Sequence, residues 1–243
     1  MKWKLALLLF LVALPGVIAS SWLALPLLVD PATIPVPLQT LQVATAVQGA
    51  ILVLVAAALG AVLAPALGVS APALSAAIRL EDMLDALRSQ LLPGLAGGCI
   101  GAAVIVAFHA FSPEVLAAVQ GKEPLPLSVR VLYGGITEEV LTRWGLMTVI
   151  AWVGWRIFQR SLPKPSHAIM WMAIVSSAFL FGLSHVPSVA QALPVVSASV
   201  VAYITIGNAV FGVVAGYLFW RNGLEAAIIA HTLAHVLAYG VLG

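Results

Sequence analysis

Apolar runs recur along this chain from end to end, each close to the roughly 20 residues a helix needs to cross a bilayer. They lie at residues 5–28, 41–63, 91–111, 127–158, 168–185, 197–220 and 226–243. In hydrocarbon a segment must satisfy its own backbone polar groups, so runs of this kind fold as helices. Only 8% of the 243 residues are charged, and the mean hydropathy is +1.10. Soluble domains are about a quarter charged, and no single water-facing core could bury so much apolar surface. The expected fold is all-α: a polytopic transmembrane bundle of about seven spans. It forms one membrane domain over residues 1–243, with N-terminal spans in 1–124 and chemically distinctive helices in 125–243.

The segments between the runs are short. Residues 30–37 read as a Pro-rich turn, and 112–126 as a polar loop with Glu114, Lys122 and Glu123. Residues 65–90 alternate Arg79, Glu81, Asp82, Asp85 and Arg88 with Ile78, Met83, Leu84 and Leu87, a pattern expected of an amphipathic helix at the membrane surface. With the N-terminus inside, eight of the eleven Lys and Arg residues fall on inner segments, which predicts an N-in, C-out topology. The start, Met1-Lys-Trp-Lys before an apolar run, has the look of a signal peptide with a cleavage region at Ala19-Ser-Ser. The run continues to Val29, so a retained first span is expected. The paired lysines and Ala-rich composition suit a bacterial inner membrane. A net charge of +2 without a basic cluster excludes nucleic acid as a partner. The lone Cys99, in an apolar run, excludes a disulfide framework and a thiolate metal centre.

The fourth run breaks the pattern. Within Tyr133-Gly-Gly-Ile-Thr-Glu-Glu-Val-Leu-Thr-Arg-Trp-Gly-Leu-Met147 it carries Glu138, Glu139 and Arg143. Each charge at the bilayer centre costs about 2.5–3.5 kcal/mol even on insertion scales, so three together point to function. Glu139 and Arg143, four apart, share a helix face and are expected to pair. Glu138 lies about 100° round the helix and does not share that partner.

Histidines answer the carboxylates. His109 and His167 fall at span edges and read as interfacial polar residues. His185 closes Phe181-Gly-Leu-Ser-His at the end of the fifth run. His231 and His235, four apart in the seventh, stand on one helix face. A carboxylate beside an imidazole can activate water, and further imidazoles can donate to the oxyanion formed at a peptide carbonyl. The inventory fits hydrolysis, and no Gly-x-Ser-x-Gly nucleophile motif competes.

In order and in membrane runs, Glu138-Glu139-x-x-x-Arg143, Phe181-x-x-x-His185 and His231-x-x-x-His235 resemble the CPBP family of intramembrane proteases. That family comprises the CAAX prenyl endopeptidases and bacteriocin-processing proteins, also called the ABI family. The resemblance covers about residues 125–243. It implies an all-helical endopeptidase acting on a membrane-associated peptide or protein substrate. Its water would be activated by Glu138 and His185, its oxyanion held by His231 and His235, and Glu139 and Arg143 would support them. The family usually has Asn or Asp where this chain has His235. A neutral imidazole still donates, but His231, His235, His185 and Glu138 would also make a shell for a single divalent metal such as zinc. Glutamate-dependent and metalloendopeptidase mechanisms both stay open at this point.

Two other functions fit the same residues: a non-catalytic scaffold or chaperone of the same fold, and a transporter or proton relay. The relay predicts an internal repeat, which the sequence lacks. Helix arithmetic also predicts a difficulty. Glu138 and His185 lie roughly 25–30 Å up their helices from the inner edge, and His231 only about 10 Å up. They meet if the Arg221-Asn-Gly turn is sunk into the protein, which irregular backbone allows where it lines a cavity, or if the span edges lie a turn away from these bounds.

Overall fold

The structure is a computed structural model that describes residues 1–29, 34–117, 125–190, 193 and 195–242. Residues 30–33 of the expected Pro-rich turn, and Lys122 and Glu123 of the expected loop, lie outside the described residues. Among the described residues every regular element is helical. Among the described residues six helices are long and apolar enough to cross a membrane. In chain order they are α1 (Lys2–Leu28), α2 (Leu38–Leu67), α4 (Met83–Ala110), α6 (His167–Ser184, extended by a short turn to Ala190), α7 (Ala198–Asn222) and α8 (Leu224–Leu242). Between α2 and α4 stands the short α3 (Pro72–Arg79). The seventh long helix, α5, is continuous over residues 127–158. About seven spans is therefore the architecture.

The amphipathic element is shorter than the charge pattern predicts. Gly68, at φ 74°, ends α2 in the left-handed conformation, and Leu80, at φ 59°, ends α3 the same way. Asp82 then caps α4: its Oδ1 accepts from the amides of Leu84 at 2.9 Å and Asp85 at 3.1 Å. Asp82 and Asp85 thus meet the positive end of a new helix, where acidic groups are favoured. Beyond α3, the charges that resemble an amphipathic face are the opening of a span. On the surface between the two helices Arg79 pairs with Glu81 at 2.7 Å, and the guanidinium holds the Glu81 carboxyl below its usual range.

α5 lies at the centre of the bundle. Its first half packs on α1 and α8, its second half on α2 and α6. Close approach is secured by small residues: a side chain at Gly135 would collide with Thr232 of α8, and one at Gly182 of α6 with the Thr205 backbone of α7. α4 joins α8 through the stripe Gly94, Gly97, Gly98 and Gly101, opposite Ile229, Ala230, Leu233 and Ala234. Without a hydrophobic drive between helices in lipid, such tight van der Waals contact is what holds them together. Large apolar side chains face outward on every side, among them Leu7, Leu11, Val47, Ile51, Val175 and Phe179. That surface suits acyl chains.

Candidate active site

The site starts with the winding of α5. Residues Arg130–Thr137 and Val140–Met147 form wide π turns, with Glu138 and Glu139 on the short α stretch between them. Threonines mark this winding. The Thr137 hydroxyl donates to the carbonyls of Ala13 on α1 (2.7 Å) and Leu132 (3.1 Å). Thr148 donates to Arg143 five residues back at 3.2 Å. Thr142 donates to the Glu138 carbonyl and accepts from Arg143 Nη1. Side-chain hydroxyls thus take carbonyls that a regular helix would pair with amides, and π turns of this kind recur at functional positions.

Glu139 and Arg143 are fully buried and pair at 3.3 Å through Arg143 Nε. The guanidinium also lies 4.8 Å from the Phe181 ring centre, so the first residue of the second motif supplies a cation–π face. The other Glu139 oxygen meets His231 Nδ1 at 2.8 Å. Glu139 therefore joins two of the three motifs. Glu138 points elsewhere. Its Oε1 lies 3.9 Å from His185 Nε2 and its Oε2 4.0 Å from His231 Nε2. Both distances exceed a hydrogen bond, and such a gap suits one bridging water. The Glu138 and His185 side chains are 17% and 29% exposed, which leaves this edge of the cluster open while the Glu139 edge is sealed.

His185 and His231 are each held by the nitrogen that faces away from Glu138. His185 Nδ1 meets the Phe181 carbonyl at 2.8 Å, so it carries the proton and leaves Nε2 as an acceptor. His231 is fixed in the same sense by Glu139. His235 stacks on His231, with ring centres 4.8 Å apart and planes at 24°. All six residues singled out from the sequence, Glu138, Glu139, Arg143, His185, His231 and His235, thus fall in one cluster. The other two histidines do not: His167 packs on Trp220 at 5.2 Å, and His109 sits in the last turn of α4.

The helix arithmetic resolves through the sunken turn. Gly223, at φ 114°, turns the chain into α8. Leu224 is fully buried, and its amide donates to Ser70 at 3.0 Å. Glu225, 7% exposed, accepts the Leu74 amide at 2.9 Å and so caps α3 from 151 residues away. The buried Gln90 of α4 accepts the Ala226 amide at 3.1 Å. α8 thus begins inside the protein, which brings His231 level with Glu138. Sequence reading missed Glu225 and Gln90. Glu225 falls in the tight turn between the last two apolar runs and Gln90 at the edge of the segment 65–90, although a lone acid beside an apolar run was the available signal. It missed Thr142 as well.

Among the described residues no group of three or more His, Cys, Asp and Glu side chains is arranged to hold a metal ion. His235 presents a stacked face to His231 rather than a converging nitrogen. As placed, these side chains do not fit zinc.

The described residues thus form an all-helical bundle in which one carboxylate faces two imidazoles among the spans. The family model described as type II CAAX prenyl endopeptidase Rce1-like matches residues 120–237, which carry all three motifs. Over that stretch the chain is similar to that family, as its motif resemblance implied. The match supports a CAAX-type intramembrane protease in general, within an integral membrane protein. No curated protein and no solved structure matches the chain.

Proposed function

We propose that the protein is an intramembrane endopeptidase that hydrolyses a peptide bond of a membrane-associated protein or peptide with water activated by Glu138. The observation that carries this reading is that one carboxylate faces two imidazole Nε2 atoms at 3.9 and 4.0 Å while each ring is anchored through Nδ1. A water in that gap donates one proton to Glu138 and the other to His185 Nε2. Its oxygen attacks the peptide carbonyl carbon as the first proton passes to Glu138. The carbonyl becomes an oxyanion, and Glu138 then returns the proton to the leaving amide nitrogen as the C–N bond breaks.

The oxyanion falls to His235 and, when it carries a second proton, to His231. With Nδ1–H committed to Glu139, a neutral His231 offers only a lone pair at Nε2. The imidazolium donates there, and Glu139 beneath it stabilises that charge. Arg143 holds Glu139 in place. The same proposal carries the N-in orientation and a bacterial inner membrane, on the distribution of Lys and Arg.

The test is hydrolysis by the reconstituted protein in water enriched in oxygen-18, using a mixed-sequence peptide pool. One heavy oxygen per new carboxylate is expected for the wild type, and none above background for Glu138→Gln. Equal cleavage by both proteins overturns the reading. The metal question is decided in parallel: activity that survives a strong zinc chelator, with no bound metal by elemental analysis, is the expected result.

A further inference from the structure

Arg221 closes α7 on the exposed side of the turn that leads into α8. Its guanidinium carbon lies 5.2 Å from the centre of the Trp220 ring. Among the described residues it makes no ion pair and no hydrogen bond. Glu225, four residues on, is turned inward to the Leu74 amide. The guanidinium thus keeps its planar fork of donors for an anion, and two parallel N–H groups match the oxygens of a phosphate.

The rings around Arg221 fix its depth. His167, the first residue of α6, meets Trp220 edge-on at 5.2 Å, so the start of α6 and the end of α7 lie level. Trp171 stacks on Tyr217 at 5.9 Å with planes at 25°, and Trp220 stands edge-on to both at 6.2 Å. Spacings of four, 167 to 171 and 217 to 221, set these side chains along one stripe of each helix. Trp171 and Tyr217 are 42% and 43% exposed. Among the described residues the Trp171 and Trp220 indole N–H groups and the Tyr217 hydroxyl have no hydrogen-bond partner. Rings of this kind collect at the headgroup level of a bilayer, with the ring in the apolar layer and the donor in the wet one.

The neighbourhood is graded in the same order. One and two turns up α6 from Trp171, Val175 and Phe179 continue its stripe as exposed apolar side chains. On the other side of the ring layer, Lys164 is exposed in the segment that leads into α6. Cation, wet donors and apolar track follow one another as phosphate, glycerol and acyl chain do in a phospholipid. A zwitterionic headgroup would bring its own cation against Arg221 and Lys164, whereas an anionic one brings none.

We propose that the inner ends of α6 and α7 form a binding site for one anionic phospholipid of the inner leaflet. Its phosphate is held by Arg221, and its acyl chain lies along Trp171, Val175 and Phe179. Peptide hydrolysis has no part in this site.

The experiment places the full chain in nanodiscs of equal parts phosphatidylcholine and phosphatidylglycerol and reads retained lipid by native mass spectrometry. One phosphatidylglycerol per chain is expected, preferred over phosphatidylcholine by about fivefold or more. The ratio falls to about one in Arg221→Gln and returns in part in Arg221→Lys. Arg156→Gln leaves it unchanged, because Arg156 lies over its own rings, Trp152 and Trp155 of α5. Phosphatidylglycerol also raises the melting temperature of the wild type above its value in phosphatidylcholine alone, and does not raise that of Arg221→Gln.

A wild-type ratio of one overturns the proposal and needs no variant to be read. So does a ratio that Arg221→Gln leaves unchanged. An equal fall in Arg156→Gln makes the attraction a property of the whole basic inner surface, and the site is lost. A melting temperature that Arg221→Gln lowers equally in both lipids assigns Arg221 to the carbonyl end of α7 instead.

Discussion

α8 carries two buried polar clusters about 9 Å apart along its axis, and they are built differently. At its start, Glu225 Oε1 and Gln90 Oε1 accept the backbone amides of Leu74 and Ala226. Those bonds tie α8 to α3 and α4. Six residues on, His231 meets only side chains, Glu139 at 2.8 Å and Glu138 at 4.0 Å. The lower cluster replaces missing helix-end partners and fixes a position. The upper one holds charges that backbone bonding does not require, and it leaves Glu138 and His185 Nε2 facing an open edge. Polar groups closed on backbone build a fold, whereas polar groups aimed at one another across a gap are available for chemistry.

The largest effect that could break this contrast is at Glu138. Glu138→Gln is expected to lower peptide hydrolysis by about 100- to 10,000-fold with an unchanged melting temperature, measured on the reconstituted protein. A large fall in melting temperature with activity retained would move Glu138 to the structural side. Arg143→Ala should act through stability, since it strands the Glu139 carboxylate at 0% exposure. A cost of about 3–5 kcal/mol is expected in denaturant unfolding, with Glu139→Gln/Arg143→Met recovering much of it.

Glu225→Ala leaves the Leu74 amide without its acceptor and should cost about 1–3 kcal/mol. Because the start of α8 loosens, activity is expected to fall with it, and both should recover in part in Glu225→Gln. Activity loss without any stability loss would mean the lower cluster is not simply a clamp. The smallest effect is expected at His235. His235→Asn keeps an N–H donor near the oxyanion position and should change turnover by well under the ~100-fold that removing a donor costs, whereas His235→Ala should approach that figure.

Much of this was legible in the chain. The apolar runs mark the spans because lipid leaves the backbone no other way to satisfy its hydrogen bonds. The Glu139 and Arg143 pair was readable because four residues bring two side chains to one face. The charged segment 79–88 was harder. A cap and an amphipathic face use the same residue types, and only the left-handed Leu80 separates the end of α3 from the Asp82 cap of α4. The π turns around Glu138 were hidden because threonine hydroxyls bonded to carbonyls five residues back leave no periodic trace in sequence.

By itself, then, the sequence determined that this is an all-helical membrane protein and which residues carry unusual charge, since both follow from the cost of polar groups in hydrocarbon. Only the tertiary structure decided that these residues meet. The depth at which α8 begins depends on Glu225, Gln90 and Ser70, partners about 135 to 155 residues distant along the chain. A helix's own periodicity fixes the angle of a side chain about its axis, and contacts with other helices fix its height.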